Sequence, residues 1–161
     1  MLWRYSQHLF HSFGALRLAC GDTDAAAAYA NECLRGAEPT DSPKNIIKAR
    51  RLRGEVFIVR GELAAAVAEL EMALDLARRI GNPPQLWRTL GAVGELHRAE
   101  QDDAAAGRAF REALSSIETV ARQLEDARLR AAFLSSAHVA HIRQLADADR
   151  SDARIGSRAG G

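Results

Sequence analysis

Slid against itself by 40 residues, the chain matches in three copies. Gly14, Gly54 and Gly94 share a column. So do Ala25, Ala65 and Ala105, then Ala26, Ala66 and Ala106, and finally Leu34, Leu74 and Leu114. At this composition about half a column of threefold identity is expected by chance, so four such columns mark a true repeat. Near-matches fill the gaps. Gly21, Gly61 and Gln101 align and are followed by Asp22, Glu62 and Asp102, while Ala30, Leu70 and Phe110 form an apolar column. A period of this length means stacked supersecondary units, each unable to bury its apolar face alone.

Each copy reads as two helices. Alanine is about a fifth of the chain and there are only four prolines, a balance that favours helix almost throughout. In the second copy Ile47, Val56, Phe57 and Val59 recur at helical rather than alternating spacing. First helices are predicted from Trp3 to Cys20, Pro43 to Arg60 and Pro84 to Glu100, and second helices from near Thr23, Leu63 and Asp103. Gly21 and Gly61 stand where a left-handed terminating residue is needed, and the acidic residue after each can cap the next helix. Gly14, Gly54 and Gly94 fall mid-helix, where glycine costs about 1 kcal/mol relative to alanine. A cost repeated three times needs a packing reason, and close contact with the alanine columns is the expected one.

The spacing of Gly54, Ala66, Leu70 and Ala73, and of Gly94, Ala106, Phe110 and Ala113, resembles the tetratricopeptide repeat. The first copy departs from that pattern, with Ala30 at the large apolar position, and the period is 40 where 34 is typical. The resemblance covers about residues 5 to 124. It implies an all-α, right-handed solenoid of three helical hairpins (repeats at about 5–44, 45–84 and 85–124). A narrower likeness rests on the stretch Trp3 to Leu9, on Lys44 to Glu55, and on the closing pattern from Leu124 to Ile142. These look like the C-terminal repeat regions of large bacterial signalling proteins, nucleotide cyclases and regulatory ATPases, which would make this chain the tail of a longer architecture.

After Leu124 the repeat ends. Leu129, Phe133, Leu134, Val139, Ile142 and Leu145 can form an apolar stripe over one or two helices, broken at Ser135-Ser136. A solenoid leaves its last unit uncovered, so the expectation for 125–148 is a cap, completing a domain over 1–148. The alternative is a helix that pairs with a second copy. Residues 149–161, ending in Gly160-Gly161, are expected to form a disordered tail.

Chemistry-bearing patterns are sparse. His8 and His11, and His138 and His141, lie three residues apart and so share a helix face, but no third ligand stands at metal-binding spacing. Cys20 and Cys33 read as small buried residues, in a reducing compartment by default. Gly91-Ala92-Val93-Gly94 falls inside a predicted helix and is no dinucleotide fingerprint. There is no P-loop or nucleophile elbow, and pairs such as Asp102-Asp103 sit at helix starts, where the dipole explains them. The sequence therefore predicts no enzyme, no cofactor and no metal. No apolar run is long enough to cross a bilayer and the start lacks a signal-peptide core, so a cytoplasmic protein without membrane contact is expected.

Charge is balanced overall, at +1, which argues against nucleic acid as a partner. Locally it is not. Lys44, Lys48, Arg50, Arg51, Arg53 and Arg60 crowd one predicted helix against Glu55 alone. In tetratricopeptide proteins the first helices line a concave groove. Carried over by the glycine register, the resemblance places there His8 and His11, then Lys48, Arg51 and Glu55, then Arg88, Glu95 and Arg98. Such a basic groove would suit an acidic peptide or a carboxylate of a partner protein. The alternative is that these arginines form a solvated face or pair with glutamates of adjacent helices. The carboxylate-clamp pattern of the family is absent, since its positions hold Ala15, Leu52 and Ala92. The expected role is a protein–protein interaction scaffold or regulatory module; the alternative is an oligomerisation element, with a homodimer formed through the C-terminal helices.

Overall fold

The computed structural model describes the backbone of residues 2–158 and the side chains of 9–148. Among these residues it is all-α. The helices are α1 (Leu2–Ala19), α2 (Thr23–Ala37), α3 (Pro43–Arg60), α4 (Leu63–Ile80), α5 (Pro83–Ala99), α6 (Asp103–Gln123), α7 (Ala127–Ser135) and α8 (Ala137–Arg158), with a 3-10 turn at Glu38–Thr40. The predicted helix starts agree to within a residue. The expected break in the C-terminal stripe falls at Ser136, whose hydroxyl donates to the Phe133 carbonyl (2.7 Å). Of the expected disordered tail, 149–161, the backbone of 149–158 continues α8, and 159–161 lie outside the described residues.

One turn is used three times. Gly21, Gly61 and Gln101 take φ values of 80°, 74° and 63°, the left-handed region. The N–H of the next residue then donates to a carbonyl five residues back, from Asp22 to Arg17, Glu62 to Phe57 and Asp102 to His97, each at 2.9 Å. Asp22 and Asp102 go on to cap the following helix, accepting from the N–H groups of Ala25 (3.1 Å) and Ala105 (2.8 Å). Glu62, a methylene longer, makes no side-chain cap. A second junction repeats too: Asp41 and Gly81 turn left-handed, and Pro43 and Pro83 open the next helices, where a missing N–H costs nothing.

The mid-helix glycines make room chiefly for bulk; of the alanine columns only Ala26 lies within reach, its carbonyl 3.4 Å from a Cβ at Gly14. A Cβ at Gly54 would lie 2.6 Å from Leu70 Cγ, and one at Gly94 would lie 2.3 Å from Phe110 Cε1. In the first copy, where Ala30 leaves space, the intruder comes from the next hairpin: Leu52 Cδ2 would be 2.5 Å from a Cβ at Gly14. The sequence reading identified the need for close approach, but its expected partner, the alanine column, is met at Gly14 alone and not at Gly54 or Gly94. The alanine columns serve the same cores, with Ala26, Ala66 and Ala106 all buried.

Packing follows chain order. The helices of each hairpin lie against one another, α2 packs on α3, α4 packs on α5, and successive first helices touch. Ala66 and Leu70 of α4 close over Ala92 and Leu96 of α5, and a fully buried leucine there contributes about 1.5–3 kcal/mol. Position by position, α3 and α5 bury Ala49 with Val56 and Thr89 with Leu96. The equivalent residues of α1, Leu9 and Leu16, are exposed with Phe13 beside them. At the other end Val139 and Ile142 of α8 enter a core with Trp87, Leu90, Ala113 and Ile117, and Phe133 of α7 meets Trp87 edge-on with ring centroids 5.4 Å apart. Leu129, expected in the same stripe, is exposed.

Candidate functional site

The basic helix α3 divides by face. Towards α4, Arg50 and Arg53 converge on the buried carboxylate of Glu69 at 3.2 and 3.0 Å, and Arg50 also reaches Glu38 at 3.3 Å. Arg60 pairs with Asp24. Much of the basic run is thus neutralised by adjacent helices, as the alternative sequence reading supposed.

The other face of α3 carries Lys48, Arg51 and Glu55. Arg51 is only 4% exposed. Its guanidinium donates to Gln85 Oε1 (3.1 Å) and to Thr89 Oγ1 (3.4 Å) of α5, and its Nε lies 4.0 Å from Glu55 Oε1. The Thr89 hydroxyl donates in turn to the Gln85 carbonyl at 2.7 Å. Arg51 was expected to line an open groove. Instead it bridges α3 to α5 from within, because these polar partners satisfy a charge that burial alone would expel. Burial lowers the Arg51 pKa, with Glu55 opposing; it raises that of Glu55, with Arg51 and Arg88 opposing. The Lys48 pKa is lowered by burial and by Arg51.

Next to this pair lies a cleft of about 170 Å³ lined by Glu55, Arg88, Glu95, His138 and His141, with Ile142 among its apolar wall. Three of the eight residues placed by the repeat register therefore share one cavity. Lys48 and Arg51 act electrostatically on its members, and Arg98 reaches Glu95 at 3.6 Å. His11 is on α1, half-buried, and does not line the cleft; His8 lies outside the described side chains. Arg88 is exposed and forms no hydrogen bond or ion pair with a described residue.

Two residues that sequence reasoning did not assign to the groove complete it. His138 and His141 come from α8, which seats Ile142 against Gly91, where a Cβ would lie 2.9 Å from Ile142 Cδ1. His141 Nε2 is 3.6 Å from Glu95 Oε1. His138 is exposed at the rim of the cleft, where partial loss of water and the repulsion of a proton by Arg88, Arg51 and His141 lower its pKa to about 4. A signal existed in the sequence: the histidines flank Val139 and Ile142, so they border the face that packs.

Elsewhere Cys33 is buried, with its thiol 3.9 Å from the Asn45 carbonyl and its pKa pushed up by burial to about 11. Cys20, expected to be buried, is exposed. Among the described residues no group of three or more His, Cys, Asp or Glu could hold a metal ion, and no helix is long and apolar enough to cross a membrane. No family model, curated protein or solved structure matches the chain.

Proposed function

We propose that this chain is a protein–protein interaction module: a solenoid of three tetratricopeptide-like hairpins, capped by α7 and α8, that docks an acidic segment of a partner protein in the cleft between α3, α5 and α8. The observation that carries this reading is the exposed guanidinium of Arg88, which pairs with no described residue and stands at a cavity whose carboxylates are Glu55 and Glu95, with Lys48 and the buried Arg51 behind it. With Lys48 and the buried Arg51 behind the cleft counted beside Arg88, three cations face the two carboxylates, the histidines left aside, and a guanidinium offers a fork of donors that a carboxylate can accept two at a time. The repeat register, the recurring turns and the order of packing support the architecture. Oligomerisation through the C-terminal helices is the weaker reading, because Val139 and Ile142 are already buried within the chain.

The test is fluorescence anisotropy with labelled peptides rich in Glu and Asp, against Lys-rich peptides of equal length. Acidic peptides are expected to bind preferentially, and Arg88→Glu to weaken them by about tenfold or more. No preference for acidic peptides, or an Arg88→Glu variant that binds them as tightly as the parent, overturns the proposal.

A further inference from the structure

A second and larger cavity, of about 420 Å³, opens where α6, α7 and α8 meet. Its origin lies in the end of the repeat. Helix α6 runs to Gln123, three residues past the position equivalent to the end of α4, and the nine-residue α7 is too short to cover the overhang. The buried side chains of Leu114 and Ala121, with half-buried Leu134, form an apolar interior. The exposed Arg122 and Arg143 stand at the rim with Glu118, and Arg130 is half-buried between them and the helix end.

The three arginines are not equivalent. Arg130 Nε donates to the carbonyls of Ala121 (3.1 Å) and Leu124 (3.0 Å), and its Nη2 donates to Leu124 as well. It thereby offsets the negative end of α6, which would otherwise repel an anion. Among the described residues Arg122 donates only to the Thr119 hydroxyl, at 3.2 Å. Arg143 and Glu118 form no hydrogen bond or ion pair with a described residue. With Arg130 engaged at the end of α6, Arg122 and Arg143 stand against Glu118 and leave a net positive charge over an apolar floor.

We infer that this cavity is a binding site for a small organic anion with an aliphatic body, of the class of medium-chain carboxylates. The volume falls within the range of small-molecule sites, and such sites pair an apolar lining with a few convergent polar groups. An inorganic anion would leave Leu114 and Leu134 facing water, and a neutral hydrocarbon would strip water from Arg122 and Arg143 without replacing it. The site is separate from the cleft of α3, α5 and α8 and does not depend on the function proposed for it.

The experiment is an NMR titration of the full chain with sodium octanoate below its micellar range, with acetate and 1-octanol as controls. Saturable amide shifts are expected at the ends of α6, α7 and α8 that line the cavity, with acetate and 1-octanol at least about tenfold weaker. The Arg122→Glu/Arg143→Glu variant should weaken octanoate at least about tenfold and keep its helical circular dichroism, since both side chains are exposed. Should that variant unfold, Arg143→Gln removes one charge without reversal and must still weaken binding. Shifts that do not saturate, that map to the α3/α5/α8 cleft, that acetate or 1-octanol reproduce at the same concentration, or that persist undiminished in the folded variants overturn the inference.

Discussion

Replacing Gly94 by alanine sets two effects of known size against each other. On a helix surface the change is favourable by about 1 kcal/mol, because alanine loses less backbone entropy. Here the new Cβ would stand 2.3, 2.6 and 2.7 Å from three ring atoms of Phe110, a side chain 2% exposed. Relieving that overlap means moving a rigid buried ring by about 1 Å, and overpacking of this kind costs typically 1–3 kcal/mol. With the cost at the upper end, because a ring cannot fold away as an aliphatic tip can, the net effect is a loss of about 2 kcal/mol. In a chain of this size that lowers Tm by roughly 4–8 °C. Urea unfolding followed by circular dichroism measures it, and a double-mutant cycle isolates its cause. Phe110→Val removes the offending ring atoms, so in that background Gly94→Ala should become neutral or stabilising, with a coupling of about 2–3 kcal/mol. If Gly94→Ala stabilises the parent chain, or costs the same in both backgrounds, the glycine column has another reason.

Two further outcomes follow from local geometry. Gln101 holds the left-handed turn that Gly21 and Gly61 hold in the other copies, so Gln101→Gly should stabilise the chain by about 1 kcal/mol in urea unfolding. The His138 imidazole takes up its proton near pH 6.5 when unfolded and only near 4 when folded. Across that interval the unfolded chain binds more protons, so stability falls as pH drops from about 6.5 to about 4 and then levels. His138→Gln should flatten that part of a Tm–pH curve; an unchanged slope would locate the titrating group elsewhere.

The regular part of the architecture was legible because it is written in local signals. Glycine–acid pairs mark the turns, proline marks a helix start, and apolar residues keep helical spacing, so helix bounds came within a residue. What the sequence hid is long-range and depends on side-chain reach. Nothing in the spacing of Arg50, Arg51 and Arg53 says that the outer two meet Glu69 while the middle one crosses to Gln85 and Thr89. That depends on which face of α3 turns to α4 and which to α5. The columns of small residues likewise announced close approach without saying whether Leu70, Phe110 or Leu52 would fill the space. The histidines of α8 reached the cleft through Ile142 seating on Gly91, a contact outside the repeat and so invisible to its register.

Because the main packing joins helices adjacent or next-but-one in the chain, the protein has no single contact whose loss must release everything. Opening then depends on position along the chain. The units α3–α4 and α5–α6 are braced on both sides. Among the described residues the main packing of α1 and α2, beyond each other, is on α3, and Leu9, Phe13 and Leu16 of α1 are exposed. In these 161 residues on their own, excursions from the native state should therefore begin at α1 and α2 and travel inward, so that a fraction of molecules at any moment has shed its first two helices while those beyond stay assembled.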